Sequence, residues 1–180
     1  MTLLLLLHLM VAPATGTERA LVDRIVASVD RDLVLASEVV LSRELAALDP
    51  GPTPFWSRPA DPTEQRIDAT ILRITAGDIG LYQPPAADVK ARLEAVRAAF
   101  VDRSTWEAFL GRHGLDEASL RQELRRRMVA ERYLLRNLTA SPEDHAAWFD
   151  QLDELMVTLR PRLRVRRIPP EPPPPEGDAL

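Results

Sequence analysis

Cysteine is absent from the sequence, and this absence excludes a disulfide framework, a thiolate metal site, a cysteine nucleophile and a lipoprotein-type lipid anchor. Lysine is nearly absent too, because Lys90 is the only one and the other basic residues are arginine. The net charge of −4 provides no overall attraction to nucleic acid or anionic lipid. What is present, 46% hydrophobic and 28% charged residues in a chain of 180, is typical of one globular domain or two small ones.

Catalytic motifs are also lacking. The sequence has no H-E-x-x-H metal motif, phosphate-binding loop or nucleophile elbow, and its acidic residues fall in helix caps and on polar helix faces. It therefore predicts no metal site, no cofactor and no enzyme activity. Two arginine clusters, at 125–127 and 162–167, have the charge to contact phosphates. Because Glu123 adjoins the first and the second alternates with apolar residues, we interpret both as solvated faces and expect no nucleic-acid binding.

The two ends of the chain predict segments outside the folded domain. Residues 3–11 form an apolar run followed by Ala12-Pro13-Ala14, the pattern of a signal peptide over residues 1–16 that would deliver the protein to the periplasm or the exterior. The run is too short to span a bilayer, so no stable membrane insertion is expected after cleavage. No Lys or Arg precedes it, which leaves a buried N-terminal helix as the alternative. Residues 169–180 are proline-rich and polar, which predicts a disordered tail.

The stretch "DRIVASVDRDLVLASE" predicts a β-hairpin. Residues 22–29 alternate in polarity, Asp30, Arg31 and Asp32 form the turn, and residues 33–36 return before Ser37 caps a helix. At the other end, "RLRVRRI" alternates in the same way and predicts a third strand. Because a lone hairpin is marginal in water, we expect residues 162–168 to pair with residues 23–29.

The rest of the chain predicts helices. One follows Ser37 and ends near residue 49, and others begin at Asp61, before residue 89, at Ser104 and at Asp116. A last helix begins within residues 141–144 and ends at Pro161. Five prolines between residues 50 and 62 forbid a regular element there, which predicts an ordered-to-mobile loop. The predicted fold is mainly α, an orthogonal multi-helix module over residues 17–168 with one small sheet.

Four blocks in this order resemble the SurA-type periplasmic chaperones. "VDRIVASVDRDLVLASEVV" is similar to the family's N-terminal strand pair and helix, and "RIDATILRI" with "GLYQPPAADVKARLEAVRAAF" is similar to its helix pair. "WEAFLGRHGLDEASLRQELRRRMVAERYL" resembles its long-helix block, and "WFDQLDELMVTLRPRLRVRRI" its closing helix and strand. The matching positions include Asp23, Ile25, Ala27, Val29, Ser37, Glu38, Phe109, Leu110, Gly114, Leu115, Leu120, Arg121 and Leu124.

The resemblance departs from the family where a prolyl isomerase would lie. Family members usually carry one or two parvulin-type domains between the long helix and the closing helix, but only about ten residues separate Leu138 from Trp148 here. A parvulin site needs paired histidines, whereas outside the predicted signal only His113, at a helix C-terminus, and His145, in a first helical turn, remain. We expect both to be structural or solvated, and no isomerase activity.

The resemblance implies a holdase-type chaperone that binds unfolded or extended polypeptides, with outer-membrane proteins as possible clients, without cofactor or metal. The candidate peptide-binding residues are Phe55, Trp56, Phe100, Trp106, Phe109, Met128, Tyr133, Trp148 and Phe149. Because aromatic residues at helical spacing usually form the core, we expect two or three to be exposed, with Phe55 and Trp56 in the proline-rich loop foremost. The alternatives are a dedicated assembly or scaffold subunit of an envelope complex and a degenerate isomerase. A large apolar groove would favour the chaperone, and its absence the scaffold.

Overall fold

The computed structural model describes residues 23–169. The predicted signal peptide, and the predicted tail apart from Pro169, lie outside the described residues. The α-helices are α1 (Ala36–Leu48), α2 (Pro62–Ala76), α3 (Ala86–Ala98), α4 (Arg103–Arg112), α5 (Glu117–Asn137) and α6 (His145–Leu159). The strands are β1 (Ile25–Val29), β2 (Asp32–Leu35) and β3 (Val165–Arg167), and short 3-10 helices cover Pro54–Ser57 and Arg160–Arg162.

The predicted fold class is confirmed. The described residues are mainly helical, and β1, β2 and β3 form one small antiparallel sheet in the order β2-β1-β3. β3 pairs with β1 in the register Val29 to Val165 and Ala27 to Arg167, which is the junction of the two ends that the alternating patterns predicted. The hairpin and the C-terminal strand therefore close the module together.

The hairpin turn is tighter than expected. Val29 pairs with Asp32, so only Asp30 and Arg31 form the turn and β2 begins one residue earlier. Asp30 adopts a φ of +52°, a left-handed conformation that aspartate tolerates better than most residues. Its backbone N–H donates to the Arg164 carbonyl over 2.9 Å, and its carboxylate Oδ1 accepts from the Arg164 N–H over 2.7 Å. The turn is thus fastened to the chain that leads into β3.

Helix α2 lies at the centre of the fold. Its Ile67, Ile71 and Leu72 are fully buried, as their spacing predicted, and the helix contacts α1, α5, α6 and the inner face of the sheet. That inner face consists of Ala27, Val29 and Val34, all inaccessible to solvent. A second core cluster lies between α1, α3, α4 and the first half of α5. The helices thus pack on two centres that share α5.

Two of the predicted helix caps are present. The Asp61 carboxylate accepts from the N–H groups of Thr63 and Glu64 over 2.9 and 3.0 Å, and Asp116 accepts from Ser119 over 2.7 Å. Each bond satisfies a backbone donor that the first helical turn leaves without a partner.

Two other caps were assigned to the wrong residue. Helix α4 is capped by Asp102 rather than Ser104, with Asp102 accepting the Thr105 N–H over 2.8 Å. Ser37 lies inside α1, where its backbone N–H donates to the Asp23 carboxylate over 3.2 Å. At α6, Asp144 is the cap, at the end of the predicted start segment. In α4 an aspartate is available just before the predicted serine, and its side chain reaches the same backbone donor.

Candidate functional site

The nine candidate peptide-binding residues are mostly part of the core. Only three of them, Phe100, Met128 and Phe149, are half-buried. The other six are at most 8% exposed: Phe55, Trp56, Trp106, Phe109, Tyr133 and Trp148. The expectation that most of these side chains are core is therefore met.

These residues do not form one surface. Phe55, Trp56, Tyr133 and Trp148 belong to the core around α2, with Phe149 packed against it. The other group, in the second core, is Trp106 and Phe109 with Phe100 against them at ring distances of 5.3 and 5.1 Å. Met128 lies half-buried on α5. A single aromatic groove cannot be assembled from two separate cores.

The expectation that Phe55 and Trp56 are exposed is wrong. They are 1% and 3% exposed, and they lie in the 3-10 helix Pro54–Ser57, so the predicted mobile loop contains a short regular element. The Trp56 indole N–H donates to the Glu131 carboxylate over 2.6 Å, and the Arg127 guanidinium lies 3.8 Å above the ring centroid. A buried tryptophan that finds both a hydrogen-bond acceptor and a cation is held inside the protein.

Trp56 is one wall of a buried network that we name the α5 ion cluster, comprising Asp49, Arg92, Arg127 and Glu131. The Arg92 Nε lies 2.7 and 2.8 Å from the two Asp49 oxygens, and its Nη2 donates to Glu131 over 2.8 Å. Arg127 donates to the Asp49 backbone carbonyl over 3.0 Å. The cluster therefore joins α3 and α5 to the chain that follows α1.

The two arginines of the α5 ion cluster differ in how far the nearby carboxylates offset the effect of burial on their pKa. Burial lowers the pKa of Arg127 to about 10, although Asp49 and Glu131 oppose this. For Arg92 the cost of burial is outweighed by hydrogen bonds to Glu131 and Asp49, and its pKa is raised. Gly51 lies against the same cluster with a φ of +71°, and a Cβ there would lie 2.6 Å from a Glu131 carboxylate oxygen. Only glycine fits this approach.

A second buried network, the Arg66 ion cluster, lies between α1, α2 and α5. Arg66 is 6% exposed and its Nη2 lies 3.1 Å from Glu38 and 3.2 Å from Glu123, which is 5% exposed. Burial of the guanidinium by itself lowers its pKa, but the two carboxylates outweigh that effect and raise it. A small pocket of about 90 Å³ adjoins this cluster. Both ion clusters are structural in placement, since their charges are paired with one another.

The sequence-based interpretation of residues 125–127 as a solvated face is wrong for one of the three. Arg125 is exposed and the Arg126 side chain is 49% exposed, but Arg127 is 1% exposed, and so is Glu131. Along α5 the buried positions run as Leu120, Leu124, Arg127, Glu131 and Leu134. This four-three spacing is the core pattern of a helix, so opposite charges at two of its positions were the available signal for a buried pair.

Two carboxylates on α2 hold the end of the chain. Glu64 accepts from Arg167 over 2.8 Å and from Arg160 over 3.0 Å, and these bonds, Arg167 foremost, lower its pKa to about 2 against a cost of burial. Asp68 accepts from Arg160 over 2.5 Å, yet burial is the larger effect and raises its pKa to about 6. Residues 160–167 are thus anchored to α2 by charge as well as to β1 by backbone pairing.

The two histidines lie at the helix ends where they were expected. His113 is the C-cap of α4, with its ring 4.9 Å from Phe109 and its Nε2 3.1 Å from Glu44. His145 is exposed at the first position of α6, where its ring lies 6.0 Å from Phe149. Each histidine has an ordinary packing role, and the two belong to different helices.

Within residues 23–169 the larger concavities are lined by charged residues. The largest, of about 720 Å³, lies between the hairpin turn and residues 161–164 and is bordered by three arginines and two aspartates. Another, of about 620 Å³, lies beside α4, where Trp106 and Leu110 are nearly covered by Arg97, Arg103 and Glu117. These two concavities of the described residues are therefore charged pockets and not apolar grooves.

Residues 23–169 contain neither a cluster of metal ligands nor a membrane-spanning helix. No three His, Asp or Glu side chains come together in a way that would hold a metal ion. No helix in this part of the chain is both long enough and apolar enough to cross a membrane.

Comparison with known proteins adds no relative to this description. No protein family matches the chain, and no curated protein matches it significantly. The likeness to SurA-type chaperones is carried by the residues named above alone.

Proposed function

We propose that the chain is a non-catalytic polypeptide-binding module that acts outside the cytoplasm, in the cell envelope. The observation that carries the proposal is the closure of the fold. β3 pairs with β1, and only the loop from Leu138 to Asp144 separates α5 from α6. This arrangement is the one implied by the resemblance to the SurA-type family with its isomerase insert missing. A module of that kind binds polypeptide without chemistry.

The mode of binding that the geometry supports best is a defined partner, as in an assembly or scaffold subunit. A general holdase buries apolar client side chains against its own apolar surface. Here the aromatic side chains are used in two cores, and the open concavities are bordered by arginine and acidic residues. Charged surface selects partners by complementarity rather than accepting many.

The general holdase is the second candidate function. Phe100, Met128 and Phe149 are half-buried, and Val101 and Val157 are 95% and 74% exposed. A flexible methionine adapts to varied partners. These apolar residues come from three parts of the chain, the segment after α3, α5 and α6, and no described concavity is lined by all of them, which is why this candidate comes second.

Site-specific photo-crosslinking in living cells separates the two functions. A benzoylphenylalanine would replace Val157 on α6 or Leu33 on the sheet, which are 74% and 53% exposed. A defined partner gives one discrete adduct at one of these positions, whereas a holdase gives a heterogeneous set. The same substitution at Gln122, an exposed polar position on α5, is the control for nonspecific capture.

Three measurements on the purified chain and the cell complete the test. A holdase suppresses aggregation of a chemically unfolded client at several-fold excess, and the defined-partner proposal expects no suppression. A prolyl-peptide turnover assay should show only the uncatalysed rate. Fractionation should place the protein in the periplasm or the medium, and recovery in the cytoplasm would contradict the envelope assignment.

A further inference from the structure

The concavity between the hairpin and β3 combines three arginines with an apolar floor, and we name it the clasp pocket. Arg31 projects from the hairpin turn, and Arg162 and Arg164 from the chain that leads into β3. Ile74 of α2 and Leu163 are half-buried at its base. Its volume of about 720 Å³ exceeds what a single phosphate or carboxylate needs.

The arginines of the clasp pocket are exposed and available. Among residues 23–169, none of the Arg31, Arg162 and Arg164 guanidinium groups lies within 4 Å of a carboxylate. Asp30 accepts the Arg164 backbone N–H, which leaves its charge in the pocket, whereas Asp32 pairs with Arg73 outside it over 2.8 Å, so three arginines face one carboxylate that has no arginine partner of its own. The pocket therefore holds an excess of positive charge in a chain whose net charge is −4.

The neighbouring strand favours an extended ligand. β3 is at the edge of the sheet, and within the described residues it pairs with β1 alone. The free edge of such a strand presents backbone N–H and C=O groups that an extended chain can use. Guanidinium groups beside it match carboxylates in two-pronged geometry.

We propose that the clasp pocket binds an acidic, extended polypeptide segment, with Arg31, Arg162 and Arg164 recognising its side-chain carboxylates. The inference rests on the proposed polypeptide-binding function and names the chemical class of the partner segment. The occupant is a segment of a separate polypeptide, because the free edge of β3 pairs with backbone N–H groups and the tail of this chain is rich in proline, which has none. The acidic stretch of this chain, where Glu171, Glu176 and Asp178 follow β3 in the sequence, carries the same charge and is the other outcome that the test distinguishes.

Fluorescence anisotropy with a labelled peptide of residues 169–180 tests the site on the full chain. The expected result is saturable binding that weakens about tenfold or more when Arg31→Gln, Arg162→Gln and Arg164→Gln are combined, because each exposed ion pair contributes up to about fivefold to the affinity. The backbone bonds of Arg164 survive this change. The matched control combines Arg43→Gln, Arg121→Gln and Arg136→Gln, which remove the same charge from other exposed arginines.

Three results would overturn the proposal. The first is that the control triple variant weakens binding as much as the pocket variant does. The second is that a peptide with Gln and Asn in place of its acids binds equally well. Competition by inorganic phosphate at low millimolar concentration would assign the pocket to small anions instead. Circular dichroism of both triple variants establishes that they are folded, so a loss of binding is not a loss of structure.

A second chain variant distinguishes the two sources. Glu171→Gln, Glu176→Gln and Asp178→Asn together remove the carboxylates that would compete from within the chain. If the pocket holds this stretch, that variant binds the labelled peptide several-fold more tightly than the unmodified chain, because the intramolecular competitor has a high effective concentration. Equal affinities assign the site to a separate polypeptide. If no peptide binds while photo-crosslinking still yields one partner, this inference fails and the proposed function stands.

Discussion

Glu131→Gln is the most informative single substitution, because Glu131 is the acidic centre of the α5 ion cluster. Its side chain is 2% exposed, and it accepts from the Trp56 indole over 2.6 Å and from Arg92 over 2.8 Å. Glutamine keeps the size but loses the charge, and if its carbonyl keeps the bonds from Trp56 and the Arg92 Nη2, its NH₂ faces the Arg92 Nη1 donor that Glu131 accepts through its other oxygen. Removing one partner of a buried ion pair costs about 3–5 kcal/mol, and we expect about 3 because Asp49 still pairs with Arg92.

Thermal and urea unfolding measure that cost. At roughly 2–4 °C per kcal/mol for a chain of this size, the expected fall in melting temperature is about 10 °C. The matched control is Glu117→Gln on the same helix. Glu117 also accepts from a tryptophan indole and an arginine, Trp106 over 3.2 Å and Arg97 over 3.3 Å, but it is 43% exposed. We expect the control to lose about 1 kcal/mol at most.

Chymotrypsin cleavage after Phe55 and Trp56 reports on the same cluster locally. Both side chains are buried by contacts that Glu131 and Arg127 maintain. Glu131→Gln should therefore expose this loop to cleavage while Glu117→Gln leaves it protected. Equal stability losses in the two variants, or unchanged cleavage, would refute the view that the ion cluster holds the loop in the core.

Three further predictions concern α2 and Gly51. Gly51→Ala should destabilise the chain by about 1–2 kcal/mol or more, because φ is +71° and the new Cβ meets the α5 ion cluster. The control Gly111→Ala, in open space on α4, should be neutral or stabilising. Urea unfolding distinguishes the two variants. Glu64→Gln should speed amide hydrogen exchange in β3 without affecting α5, because Glu64 binds Arg167; unchanged exchange would count against this anchor. The pKa of Asp68 is raised from 3.8 to about 6, so the folded state holds the carboxyl proton more tightly than the unfolded state does. The contribution of Asp68 to the free energy of unfolding therefore falls as the pH rises from about 4 to about 6. Asp68→Asn should flatten that part of the plot of stability against pH.

The fold could be predicted from local patterns because the apolar residues of each strand and helix recur with the spacing typical of that element. Two short stretches alternating every second residue, at opposite ends of the chain, were enough to predict the sheet. Asp61 and Asp116 were enough to predict where two helices begin. The predicted caps of α1 and α4 are each two residues too late, because α1 begins after Leu35 and because Asp102 reaches the N–H group of Thr105 in α4.

The buried face of α5 could be predicted only in part from the local pattern of apolar residues. In the sequence an apolar stripe at helical spacing predicts a buried face made of Leu120, Leu124, Met128, Leu135 and Leu138. In the structure Met128 is half-buried and Leu135 is 43% exposed. Arg127 and Glu131 occupy core positions because Asp49, Trp56 and Arg92 come from distant parts of the chain to pair with them. The four-three spacing within α5 marks Arg127 and Glu131 as core positions, but it does not identify these distant partners. The same distant pairing explains why Trp56, in a proline-rich loop, is buried.

The clasp pocket could be predicted in part, because the sequence gives the spacing of two of its arginines while the pairing of the chain ends brings the third to them. The alternation that predicted β3 also places Arg162 and Arg164 two residues apart, although in the structure Arg162 ends the 3-10 helix Arg160–Arg162 and only Arg164 lies in the chain that leads into β3. The pairing of the two chain ends then sets Val165 opposite Val29, which brings Arg164 to the hairpin turn beside Arg31. A strand interpreted as a charge-protected edge is therefore also one wall of a cationic pocket. Edge protection requires only that the arginines repel other strands, whereas the pocket requires that carboxylates attach there, and the peptide titration separates the two roles.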